Sequence, residues 1–186
     1  MDVQNLSKLD VARRQLATAI RMFFSLGDPI AIHTLAAASQ GLLRDLAKAS
    51  GAEHGSILHD NPHIPGPLRE EWYRQLNQPR NFFKHADRDP DRSLEFKPED
   101  NENLILDAVL LWYTNSHAAF HEASVYLGWF TTKHENLRAA ISGNPIGEYC
   151  VRNAVHFSNY QEFLELLDSP LLIEEVRSNK MSESDA

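Results

Sequence analysis

Apolar residues recur along the first half of the chain at the three- and four-residue intervals of an α-helix, and turn signals cut that pattern into lengths. Leu9, Ala12, Leu16, Ile20, Phe23 and Phe24 share one stripe, with Ser7 placed to cap its start, Asp10 in the first turn and Gly27 at its end. Asp28-Pro29 then reads as a cap and first-turn proline. The helix it opens reaches about Ser50, with Ile32, Leu35, Ala36, Leu42, Leu43 and Leu46 apolar and Gly51 as its stop. So short a connection predicts an antiparallel hairpin in which the two stripes bury each other.

The pattern continues. Pro67 opens a third helix carrying Leu68, Trp72, Tyr73 and Leu76, and Asp89-Pro90 is expected to stop it. Lys97-Pro98-Glu99-Asp100 starts a fourth, apolar on more than one side through Leu104, Leu106, Val109, Leu110, Trp112 and Tyr113 and therefore the expected most buried element. A fifth spans about 118–131, with Phe120, Val125, Leu127, Trp129 and Phe130. No alternating strand pattern has comparable strength, so the expected fold is all-α: an antiparallel bundle of four to five helices over residues 1–133. An irregular helical extension at 134–177 would add short helices near 135–141, 147–151 and 159–167, and the polar tail 178–186 is expected to be disordered. The expected core holds Leu16, Ile20, Phe23, Leu35, Leu42, Phe82, Leu106, Leu110 and Phe130.

Composition narrows the function classes. The 186 residues are 42% hydrophobic and 24% charged, enough for one compact core. A net charge of −8 argues against a protein whose main task is gripping long nucleic acid. The charge is uneven, however: residues 69–92 hold six basic and five acidic side chains. Cys150 is the single cysteine, and no leader-like segment opens the chain, so a cytoplasmic location is expected. The uncharged run 108–120 is too short to span a bilayer, and no membrane partner is expected.

Residues 79–88, Pro-Arg-Asn-Phe-Phe-Lys-His-Ala-Asp-Arg, separate into two chemistries when wound at about 100° per residue. Arg80, Asn81, Lys84, His85 and Arg88 gather on one face; Phe82, Phe83 and Ala86 lie on the other. If Pro79 is a first helical residue, Arg80 and Asn81 stand in a first turn, whose free N–H groups attract phosphate. The alternative is a kinked surface helix with a basic exposed face.

Arg80-Asn81-x-x-x-His85 resembles the signature of HEPN domains: an arginine with a polar follower, and a histidine after four to six intervening residues, on an inner helix of an all-α bundle. The resemblance implies a metal-independent endoribonuclease, with a toxin or a defence or stress-response enzyme as its cellular role. His85 would be the acid/base, Arg80 the phosphate clamp and Asn81 a positioner, with Lys84 and Arg88 as further RNA phosphate contacts. It also implies a homodimer that faces two motifs across one cleft, RNA as substrate, an antitoxin or other protein as a further partner, and no cofactor.

Two other readings stand beside it. Arg80, Asn81 and His85 would merely pair with carboxylates such as Asp45 or Asp107 in a noncatalytic module that binds protein or nucleotide. A metal-dependent helical hydrolase is the third reading. His54, His59 and His63 match no closed zinc pattern, and His117 and His121, one helical turn apart, lack a second ligand pair; no metal site is assigned. Arg152-Asn153-x-x-His156 echoes the motif with shorter spacing and is coincidental or accessory.

Overall fold

Seven α-helices and one 3₁₀ helix, with no strand, make up the regular structure among the described residues, and the protein is all-α. The computed structural model describes residues 3–52, 55–87, 89–141, 143–169 and 174, with the backbone alone for 139–141. The expected tail at 178–186 lies outside them. The helices are α1 (Lys8–Phe24), α2 (Pro29–Ser50), α3 (Gly66–Phe82), α4 (Asp100–Ser116), α5 (His121–Lys133), α6 (Pro145–Arg152) and α7 (Tyr160–Leu167), with the 3₁₀ helix at Glu135–Ile141. No helix among the described residues is long and apolar enough to cross a membrane.

The chain divides into two compact units, one of Met1–Ala19 with Asp28–Asn115, the other of Ile20–Gly27 with Ser116–Ala186. In this division α5 falls with the C-terminal helices, whereas its stripe in the sequence groups it with the first four.

In the first unit local caps set the helix ends. The Ser7 hydroxyl accepts from the Asp10 amide and the Asp10 carboxylate accepts from the Ser7 amide, closing a capping box. Asp28 accepts from the Ile30 and Ala31 amides, and Gly51, at φ 68°, takes the left-handed turn that ends α2. Tertiary bonds then give the direction of each helix. The Ser39 hydroxyl of α2 donates to the Ala12 carbonyl of α1, equidistant from their short turn, so the two are antiparallel. Against α4, His33 meets Asn101, Gln40 meets Asp107 and Leu43 meets Asn115, a series that rises on both helices and makes them parallel. Along α3, Tyr73 stacks on His59, which bonds Gln40, while Phe83, just past its end, meets His33; α3 therefore opposes α2. The unit is an up-down-up-down bundle.

The buried face of α2 consists of Ile32, His33, Ala36, Ala37, Ser39, Gln40, Leu43 and Ala47, so three polar side chains sit where the stripe suggested leucines. Leu35, Leu42 and Leu110 are half-buried, whereas Leu16, Ile20, Phe23, Leu106 and Phe130 are in the core as expected. Helix α3 has no buried residue, so the motif segment is not on an inner helix. Phe82 is half-buried and touches Phe83 edge-on. Phe82→Ala is therefore expected to lower unfolding free energy by about 1–2 kcal/mol, short of the ~3–5 of a core phenylalanine. Urea denaturation measures it, and a loss above about 3 kcal/mol would place the ring in the core.

In the second unit the end of α1 and α5–α7 close on an aromatic cluster. Trp129, fully buried, lies 4.9 Å from Phe23 and 5.3 Å from Tyr126, and Phe24 stacks on Phe163 at 5.3 Å. Gly128 lets α6 approach α5 closely, since a Cβ there would stand 2.8 Å from Ile146 Cγ2. Helix α5 begins at His121, three residues later than the stripe suggests, and Phe120 occupies its cap position.

Candidate functional site

The motif segment ends a helix; it does not start one. Pro79 sits inside α3, where it withholds one hydrogen bond, and the helix closes within a turn as the Phe83 amide bonds the Pro79 carbonyl and the Lys84 and His85 amides bond the Asn81 carbonyl. Arg80 and Asn81 thus occupy the last turn, at the negative end of the dipole, and the anion-attracting first turn expected of them is absent. The helix stops seven residues before Asp89, leaving His85 on irregular backbone.

Asn81 and His85 open into one cleft of about 680 Å³, lined also by Glu70, Tyr73, Arg74, Asn77, Gln78, Phe82, Asp89 and Arg92. Tyr73, Asn77 and Asn81, four residues apart, share one flank of α3, a spacing visible in the sequence itself. The His85 side chain is 60% exposed, and its Nδ1 lies 3.9 Å from Asp87. Both arginines of the cleft have local partners: Arg74 forks onto Glu71 at 2.7 and 2.9 Å, and Arg92 stands 3.5 Å from Asp89. Glu70 and Asp89 balance them, so the cleft offers two guanidiniums without a strong net field.

Arg80 goes elsewhere. About 100° around the helix from Asn81, its guanidinium lies against α2, where a Cβ on Gly41 would meet both Nη atoms at 3.0 Å. Lys84 does not line the cleft either, and Arg88 lies outside the described residues. Among the described residues neither Asp45 nor Asp107 pairs with Arg80, Asn81 or His85, and Asp107 bonds Gln40, Ser56 and Ile57 instead.

Asp107 anchors a separate buried network. Fully buried, it accepts from Gln40 Nε2 at 2.8 Å, the Ser56 hydroxyl at 2.7 Å and the Ile57 amide at 2.7 Å, and burial still holds its carboxyl above the usual carboxylate range. Gln40 also reaches His59 Nδ1 at 3.1 Å. Burial, reinforced by the Arg44 charge, pushes His59 below the ordinary imidazole value, while a bond to the Asn77 side chain opposes the shift. Asn77 and Tyr73 thereby join this network to the cleft. Serine, histidine and aspartate meet here, but the hydroxyl donates to the carboxylate, so the trio fastens the 55–60 loop to α2 and α4 and does not activate a nucleophile.

The remaining histidines do not gather. His117 follows the end of α4 and His121 begins α5, so they do not share a helical face. His121 Nε2 donates to the Leu166 carbonyl at 2.8 Å. His54 lies outside the described residues, and among those described no group of three or more His, Cys, Asp or Glu could hold a metal. In the 152–156 echo, Arg152 ends α6 and His156 bonds Ser158 at 2.7 Å. Buried Cys150 has its thiol pushed up to about 12 by desolvation, which makes it a packing residue. The chain matches no family model, no curated protein and no solved structure.

Proposed function

We propose that the first unit acts on RNA, taking one or two nucleotides of a single strand into the α3 cleft and cleaving without a metal. The observation that supports this reading is the shared opening of His85 and Asn81 into a cleft that also offers Arg92, Arg74 and the faces of Tyr73 and Phe82. Rings stack on bases, amides bond base edges and a guanidinium steadies a phosphate. The ribose 2′-oxygen would bond to phosphorus as the P–O5′ bond breaks. His85 takes the 2′-hydroxyl proton or delivers one to O5′, and water carries the other. The balanced charge of the cleft suits a short segment better than a long polyanion.

The HEPN resemblance supports the same chemistry with one change: Arg92, inside the cleft, takes the role of charge stabiliser that the motif gives to Arg80. A homodimer pairing its α3 faces would bring in a second His85 and supply the second proton carrier. The noncatalytic module remains the second reading, favoured by the separation of Arg80 from His85. His85→Ala is expected to lower cleavage of single-stranded RNA by at least about 100-fold and Arg92→Ala by about 10-fold or more, with circular dichroism unchanged. RNA held in the cleft but left intact by the wild-type protein would favour the module.

A further inference from the structure

In the second unit the end of α5, the 3₁₀ helix and α6 line a groove of about 470 Å³, inside the range of small-molecule clefts, roughly 300–1,000 Å³. Glycine at position 147 keeps its wall open: a Cβ there would stand 3.5 Å from Oγ1 of Thr131, which is 4% exposed and donates to the Gly128 carbonyl. Two guanidiniums from separate elements reach the groove. Arg138, on the 3₁₀ helix, is half-buried and pinned along one edge, with Nε donating to the Thr131 carbonyl at 3.3 Å and Nη2 to Glu135 at 3.0 Å. Its Nη1 has no partner among the described residues. Arg152, in the last turn of α6, has neither a hydrogen bond nor a carboxylate within 4 Å among them. Glu148 stands one turn earlier on the same helix, in the order that favours an ion pair, yet the two do not pair and both line the groove. Val151, 52% exposed, adds an apolar edge.

The groove thus offers a fixed guanidinium edge, a free guanidinium, a free carboxylate and an apolar patch. A phosphate dianion would meet a like charge at Glu148. A ligand with a carboxylate and an N–H donor on one carbon matches both signs. We propose that this groove binds the α-carboxylate end of an amino acid or peptide. Arg152 and Nη1 of Arg138 hold the carboxylate, Glu148 accepts from the α-nitrogen, and Val151 packs on an apolar side chain. The ligand is either a free amino acid, whose ammonium pairs with Glu148, or the last residue of a peptide, whose amide N–H bonds it. The site does not rest on the RNA reading of the α3 cleft.

The test is an NMR titration of the full chain that follows the backbone amides of Gly143, Gly147 and Arg152, with L-leucine, N-acetyl-L-leucine and L-leucinamide as probes. The two carboxylates are expected to shift those amides, and leucinamide, which lacks the carboxylate, is expected not to. Arg152→Gln is expected to weaken binding at least about tenfold. Gly147→Ala is expected to weaken it by narrowing the groove, and its Cβ meets Thr131 at an ordinary contact distance, so the fold accepts it. Leucine bound more tightly than N-acetylleucine, with the difference lost in Glu148→Gln, assigns the site to free amino acids. N-acetylleucine bound as tightly or more so assigns it to peptide ends; either supports the proposal. Leucinamide bound as tightly as leucine, unchanged affinity in Arg152→Gln, or no shift at millimolar concentrations of either carboxylate overturns it.

Discussion

Asp107→Ala is expected to lower the unfolding free energy by about 3–5 kcal/mol, among the largest single effects in the first unit. The carboxylate is fully buried and accepts three hydrogen bonds, so its removal takes the acceptor from the Ser56 hydroxyl and the Ile57 amide, leaves Gln40 with only His59 and Ser56, and opens a void. Each stranded buried donor costs about 1–3 kcal/mol, partly relieved where the loop can reach water. Denaturant unfolding measures the loss, and a value below about 1.5 kcal/mol would mean that the network is ornamental to stability.

The pH dependence has a definite sign. His33 and His59 have lowered values in the folded state, so their contribution is complete above about 6.5 and is lost as pH falls through their folded values. Asp107 acts oppositely: its value is raised, so its contribution is complete below 3.8 and is lost as pH rises through the folded value. Acidification below about pH 6.5 is therefore expected to lower the histidine contribution to stability, by at most about 1.4 kcal/mol per pH unit for each histidine. His59→Gln should flatten that slope, and a slope indifferent to the substitution would contradict the buried neutral imidazole.

Trp129→Ala is expected to lower stability by about 3–5 kcal/mol through the second unit. The indole is fully buried, donates to the Phe157 carbonyl at 2.9 Å, and meets Phe23, Phe24, Tyr126, Phe130 and Tyr160 within 6.2 Å. Truncation removes the centre of the cluster and leaves that carbonyl without its donor. Near-ultraviolet circular dichroism and the denaturation midpoint report the loss together, and a change under about 1.5 kcal/mol would show that the cluster repacks without it.

Local chemistry was legible in the sequence and distant chemistry was not. Ser7 with Asp10, Asp28 with Pro29, and Gly51 act within one turn of their own helix, so their roles could be read from adjacent letters. His33 and Gln40 could not be placed this way, because a polar residue on a stripe reads as surface until its partner is known; those partners, Asn101 and Asp107, come from another helix. Pro79 fits both a first turn and an interior, and only the continuous α3 decides between them. Asn81 and His85 do share a face. Arg80 leaves it because Gly41, remote in the chain, supplies the space for its guanidinium.

The direct measurement of RNA cleavage by the α3 cleft uses single-stranded RNA incubated in EDTA with wild-type protein and with His85→Ala, with the ends of the products identified. Metal-free cleavage by the wild type to 2′,3′-cyclic phosphate and 5′-hydroxyl ends, reduced at least about 100-fold in His85→Ala, is the expected result. RNA left intact by the wild type in EDTA, or cut equally well without the His85 imidazole, would contradict it.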